Sequence, residues 1–219
     1  MGVQTSAPIR ESGRHKTILP EPQGLAWFGE QLLVSFRANA QIHALDLATS
    51  SSRVWATIPG TAWGLAASPT RAFAVCPFGP DEDRHLFEFD SDGRQMRDPI
   101  RCPDGTGSYI SHDGRDLYLC QWYAQRVFKM TPGGAFEPLL TAKRGICGIA
   151  AVDGSLTLLT TSDEHSTDYF LERYDAANPA AGGYDLASVP IRARSLVWTG
   201  SEFLTSHREA GEIVAFTLA

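Results

Sequence analysis

The chain has 219 residues, 43% hydrophobic and 20% charged, with 25 acidic against 19 basic side chains and a formal net charge of -6. This is enough for one domain with a substantial core, and the composition excludes general disorder. The acidic balance argues against a dominant nucleic-acid footprint, which needs clustered Lys and Arg; no apolar run is long enough to span a membrane.

In chain order, the first stretch, MGVQTSAPIRESGRHK, lacks the apolar segment of a secretory signal. Residues 1–13 read as a loose tail, and the structured domain as 14–219. A unit of about 40 residues then recurs, a period that marks repeat architectures. Its first copy runs GLAWFGEQLLVSF…QIHALDL…SRVWATIPG from Gly24 to Gly60. Later copies begin WGLAASPTRAFAVCPF at Trp63, SYISHDGRDLYLCQWY at Ser108, CGIAAVDGSLTLLTTS at Cys147 and SLVWTGSEFLTSHREAG at Ser195. Each copy alternates apolar and polar residues with period two. The turns between its first two strands (FGEQ, HDGR, VDGS, TGSE) carry the Gly-bearing chemistry of hairpins.

Four antiparallel strands per copy, A to D, predict an all-β chain folded as a single five-bladed β-propeller. The blades fall at about 22–60, 61–104, 105–144, 145–190 and 191–219 plus 14–21. The last copy ends after strand C and lacks a strand D of its own. Thr17-Ile18-Leu19-Pro20 resembles Thr57-Ile58-Pro59, so the N-terminal strand His15 to Pro20 is expected to close the ring beside Glu212 to Leu218.

Equivalent positions can be compared across copies, because Gly24 precedes Leu32, and Tyr109 precedes Leu117, by the same eight residues. Just before strand A stand Gln23, Trp63, Ser108, Cys147 and Arg194. At the end of strand B stand Phe36, Cys76, Gln121, Thr160 and His207. Arg37, Phe78, Trp122, His165, Arg208 and Glu209 follow in the next loops. In a propeller these two rings gather at one mouth of the channel, and their mixture of aromatic, amide, imidazole and guanidinium groups suits a ligand pocket. His207 is the candidate acid–base group, since imidazole titrates near neutral pH. Arg194 can hold a substrate carboxylate or oxyanion in a bidentate fork. Cys147 is the candidate nucleophile if it faces His207, though a packing role is the usual one for cysteine. Gln23, Phe36, Arg37, Trp63, Phe78, Ser108, Tyr109, Gln121, Trp122, Thr160 and His165 complete the expected substrate-binding set.

The four cysteines Cys76, Cys102, Cys120 and Cys147 show neither CxxC spacing nor a zinc pattern. They read as reduced residues of a cytoplasmic protein. The acidic loops GPDEDRH and SDEHSTD lack the order of a calcium loop, so a divalent metal is weakly supported and no cofactor is expected.

The segment PQGLAWFGEQLLVSFRANAQIHALDLAT, above all Pro22 to Asp46, resembles the repeat of the SMP-30/gluconolactonase-like and strictosidine-synthase-like propellers. Plant-type glutaminyl cyclases, which are five-bladed, share the Gln23-Gly24-Leu25 start. For the lactonase-like members the resemblance implies a divalent metal held by Glu, Asn and Asp at the mouth. Here those positions carry Gln23, Trp63, Ser108, Cys147, Arg194 and Phe36, and Glu21 alone supplies a nearby carboxylate. For the strictosidine-synthase-like members it implies a metal-free acid–base group beside an apolar pocket. The expectation that follows is a monomeric, metal-independent hydrolase, lyase or cyclase acting on a small molecule. A propeller that binds a peptide or protein without catalysis is the alternative, and a metal-dependent lactonase-like hydrolase a further one.

Overall fold

The computed structural model describes residues 7–163, 165 and 167–218. It is all-β, with five four-stranded antiparallel sheets arranged as a five-bladed propeller. Strand β1 (Arg10–Lys16) lies apart in sequence from the sheet it completes. Blade 1 comprises β2 (Pro22–Phe28), β3 (Gln31–Phe36), β4 (Gln41–Leu45) and β5 (Ser52–Thr57); blade 2 comprises β6 (Gly64–Ala67), β7 (Ala72–Phe78), β8 (Asp83–Phe89) and β9 (Ile100–Arg101). Blade 3 has β10 (Tyr109–His112), β11 (Leu117–Gln121), β12 (Arg126–Met130) and β13 (Phe136–Thr141). Blade 4 has β14 (Gly145–Val152), β15 (Ser155–Thr161), β16 (Tyr169–Asp175) and β17 (Tyr184–Val189). Blade 5 has β18 (Ala193–Trp198), β19 (Phe203–His207) and β20 (Glu212–Thr217), and β1 is its outer strand.

The period-two pattern sends alternate side chains into opposite blade interfaces. On β3, Leu33 faces blade 2 while Leu32 and Val34 face blade 5; on β7, Ala72, Ala74 and Cys76 face blade 1 while Phe73 and Val75 face blade 3. Five apolar clusters result, one between each adjacent pair of blades. Each fully buried Leu, Ile or Phe contributes about 1.5–3 kcal/mol.

Closure is by an N-terminal strand, but that strand is shifted from the expected span. Arg10 pairs Thr217, His15 pairs Ile213 and Lys16 pairs Glu212, with a bulge between Glu11 and Gly13. Thr17 to Pro20 leave the ladder. Thr17 Oγ1 donates to Leu19 O at 2.6 Å and Gly211 O at 3.0 Å, Pro20 has no N–H to offer, and Glu21 turns the chain with φ 56°. Residues 10–13 therefore belong to the sheet, and Pro8 forms a parallel bridge with Ser188. Ion pairs accompany this register. Arg14 and Lys16 reach Glu212 at 3.0 and 2.9 Å, and Ser12 donates to Glu202 at 2.6 Å. An exposed edge of charged residues also discourages pairing with another chain.

The innermost strands β2, β6, β10, β14 and β18 contact one another in sequence around the ring, with β18 returning to β2. Their approach is close enough to require glycine. A Cβ on Gly64 would stand 2.5 Å from Ser108 O, and one on Gly148 would stand 2.6 Å from the Ser195 carbonyl carbon. Gly148→Ala should therefore cost about 1–3 kcal/mol through overpacking and lower the Tm by several degrees in thermal unfolding followed by circular dichroism. Gly133→Ala, where a Cβ meets nothing closer than Thr131 Oγ1 at 3.8 Å, should leave the Tm unchanged.

Candidate functional site

At the end of the channel where strand A begins and strand B ends, the ring opens into a cavity of about 970 Å³ lined by residues from all five blades. The opposite end holds a small recess of about 100 Å³ lined by Leu25, Trp27, Ile110, Ser111, His112 and Trp198. The glycine-packed inner strands separate the two.

Of the expected residues, Arg37, Trp63, Ser108, Tyr109, Gln121, Trp122, His165 and Arg194 line the mouth. Gln23 lies directly beneath it, fully buried. Its Nε2 donates to Trp63 O at 3.1 Å and to the Tyr109 hydroxyl at 3.3 Å, and its Oε1 accepts from Arg208. Gln121 is fixed by donating to Pro103 O at 2.9 Å and Thr106 O at 3.3 Å. Burial pushes the Tyr109 phenol up to about 12, so it stays protonated at neutral pH.

The others lie elsewhere. Phe36 is buried between blades 5 and 1, edge-on to His43. Phe78 is exposed and stacks its edge on His85 and Phe87. Thr160 is buried and donates to Glu172 Oε1 at 2.8 Å. Cys147 is buried in the cluster between blades 4 and 5, its Sγ 3.9 Å from Gly145 O. His207 is half-buried and not among the residues lining the cavity. The alternation along β19 and the following turn explains this: Ser206 and Arg208 both reach Gln23, at its carbonyl and its amide oxygen, so His207 between them points away. Burial, followed by Arg14, lowers the His207 pKa, and its Nδ1 has no hydrogen-bond partner.

Alignment of the copies places Arg208 and Glu209 in a loop and does not single out Arg84, Arg126 or Arg192. All of these line the mouth. Arg84 lies over the Trp63 ring at 4.6 Å, and Arg194 over Trp122 at 5.2 Å and Tyr169 at 5.3 Å. Arg194 also donates to the Tyr169 hydroxyl and to Ala193 O at 3.0 Å. The signal available in sequence was that Arg194 belongs to one aligned ring and Arg208 adjoins the other, whereas Arg84 stands well beyond Cys76 and carries no such signal.

No divalent-metal set fits this mouth. Among the described residues, no group of three or more His, Cys, Asp or Glu side chains is placed to hold a metal ion. The positions before strand A carry an amide already engaged, an indole, a hydroxyl, a buried thiol and a guanidinium, and two arginines at the floor would repel a dication.

A five-bladed propeller with one deep, aromatic-walled mouth is the class of protein this arrangement defines. No protein-family model matches the chain, and no curated protein matches it. Among solved structures, it is similar to the glutaminyl cyclase of Myxococcus xanthus, with TM-score 0.74, 13% identity and coverage of 97% of each chain. It is similar also to the PQQ-bound aldose sugar dehydrogenase of Streptomyces coelicolor (TM-score 0.62, 17% identity, 100% of this chain and 83% of that one). Virginiamycin B lyase of Staphylococcus aureus gives TM-score 0.56 and 11% identity over 93% of this chain and 69% of that one. At these identities the likeness is one of fold, and the neighbours are propellers that include enzymes.

The buried thiols allow a direct check. Burial pushes Cys76 and Cys102 up to about 12 and Cys120 well above the ordinary thiol value, and all four cysteines are buried and free of disulfides. At pH 8 a thiol-reactive disulfide reagent should find no fast-reacting group in the native protein and four after denaturation. A rapidly modified Cys147 in the native state would restore it as a candidate nucleophile.

Proposed function

We propose that this protein is an enzyme of hydrolase, lyase or cyclase type that acts on a small organic molecule bound at the propeller mouth. The carrying observation is the cavity itself. Its volume suits a metabolite, its walls are Trp63, Trp122 and Tyr123, and Arg194, Gln121, Tyr109 and Ser108 converge on it. The enzymes among the structural neighbours, including one named a cyclase and one a lyase, support a catalytic use of such a mouth. Within it, His165 is the imidazole that lines the wall. It takes the acid–base part first assigned to His207. Arg194 and the protonated Tyr109 supply hydrogen bonds to a developing oxyanion. A second reading has its own observation: Tyr123, at the rim, is 87% exposed, as an anchor for a peptide or protein partner would be.

The test is to incubate the protein with a metabolite extract and follow the mixture by mass spectrometry, beside Ser108→Trp, which fills the mouth. Wild type should deplete a species and yield a product, and the variant should not while keeping its Tm. Retention of a metabolite without turnover would favour a binding protein. No retention and no turnover would overturn the reading.

A further inference from the structure

The mouth gathers positive charge with no matching carboxylate. Away from it, the two buried carboxylates are paired. Glu172 in blade 4 is wholly inaccessible and receives Arg144 at 2.7 Å, Thr160 at 2.8 Å and Tyr174 at 2.8 Å. Glu88 in blade 2 is 3% exposed and meets Arg71 and Arg97. This is what physics requires, since a buried charge without a partner is costly. At the floor of the mouth the rule fails. Arg194 is 9% exposed and Arg208 half-buried, and no described carboxylate stands within salt-bridge distance of either. Of the carboxylates lining the cavity, Glu209 is taken by Arg192 at 2.5 Å, Asp83 by Arg101 at 2.7 Å and Asp104 faces Arg126 at 3.7 Å. Asp81 and Glu82 stand exposed at the rim.

The floor is also short of acceptors. The Gln23 amide oxygen is engaged by Arg208, yet the Arg208 Nε is buried with no hydrogen-bond partner. The Tyr109 hydroxyl accepts from Gln23 and keeps its proton for donation. Both arginines and the phenol therefore offer donors to the same space, and nothing in the described chain supplies the negative charge that would complete them. Burial lowers the Arg208 pKa, against Tyr109, and Arg194 and Arg37 lower it further, a like-charge repulsion that an anion would relieve.

We propose that the mouth recognises an organic oxyanion, a carboxylate or phosphoryl group seated on Arg194, Arg208 and the Tyr109 hydroxyl, with the organic part of the ligand against Trp63 and Trp122. This rests on the mouth being a small-molecule site and names the class of molecule. Arg194 lies over Trp122 and donates through Nη1 to the Tyr169 hydroxyl and Ala193 O, which leaves Nη2 and Nε as the donors a ligand can take. Arg84, over Trp63 on a blade not adjacent to blade 5, gives a second cationic point for ligands with two anionic groups.

The test uses matched pairs, benzoate with benzamide and phenylacetate with phenylacetamide, together with inorganic phosphate, titrated by calorimetry into the full chain and into Arg208→Gln and Arg194→Lys. The acids should bind at least ~10-fold tighter than their amides, the ratio expected of charge-assisted hydrogen bonds. Each variant should lose that preference while binding the amides as wild type does. Two variants are used because Arg194 also holds Tyr169; a Tm near wild type in either makes its result count. Phosphate binding with the same arginine dependence and no organic preference would assign the subsite to a phosphoryl group. Acids and amides binding alike, or acids bound by both variants as tightly as by wild type, would overturn the oxyanion subsite and leave the small-molecule mouth standing. Silence of every probe, charged and neutral, would remove the mouth reading as well.

Discussion

Each blade of this protein has two apolar faces, and a row of such blades always leaves one face bare at each end. Joining the ends covers both at once: Leu25, Leu32 and Val34 of blade 1 meet Leu204, Ile213 and Ala215 of blade 5. That interface is apolar like the other four, so the core continues unbroken around the ring. The outer strand β1 adds hydrogen bonds and ion pairs beyond it, which tie the first part of the chain to the last. Circular closure also fixes how far the inner strands stand from the axis. With five blades they stand so close that Gly24, Gly64 and Gly148 touch neighbouring strands through backbone or short side chains. The channel is thus pinched, and space for a ligand survives only where the strands diverge at the mouth.

Gln23 links this closure to the site. It sits on β2 of blade 1, yet it bonds to Trp63 of blade 2, Tyr109 of blade 3 and Arg208 of blade 5. One amide with two donors and one oxygen can serve three blades only because the inner strands are so near. Ser195 and Ser206 do similar work, bonding Leu25 N and the Gln23 carbonyl across the blade 5 to blade 1 boundary. The floor of the mouth is therefore part of the ring's hydrogen-bond framework, and the residues above it inherit its rigidity.

What the sequence made legible follows from what repeats. Strand alternation and hairpin turns recur in every copy, so blade number, strand order and closure by the N-terminal segment were accessible from spacing. The closing strand was misplaced because Thr-Ile-Leu-Pro imitates Thr-Ile-Pro, whereas the ladder with β20 runs over Arg10–Lys16 and is flanked by Arg14 and Lys16 meeting Glu212, long-range contacts with no local trace. Site residues divide on similar lines. Positions before strand A were well placed, since Trp63, Ser108, Tyr109 and Arg194 all border the cavity. At the end of strand B, of the five aligned positions only Gln121 borders the cavity; bulges at the first hairpins of blades 1, 4 and 5 shift which side chain faces the axis there, and Cys76 packs between blades 1 and 2. His207 and Phe36 fell on the wrong side of that change, and Arg208, one residue on, fell on the right one.

The unpaired arginines sharpen the view that function resides in departures from the rules of stability. Glu172 shows that this chain can bury a carboxylate and satisfy it completely, so the bare guanidiniums at the mouth are not a general failure of pairing. Water in an open mouth lessens their cost but cannot remove it for Arg194, which is nearly enclosed. Contact with the Trp122 and Tyr169 rings and the Nη1 bonds to Tyr169 and Ala193 offset part of the rest without supplying a counter-charge. An acidic residue in place of Gln23 would neutralise Arg208 more simply. An amide there holds the guanidinium in position while leaving its charge unsatisfied, which is the arrangement a protein needs if the counter-ion is to arrive from outside.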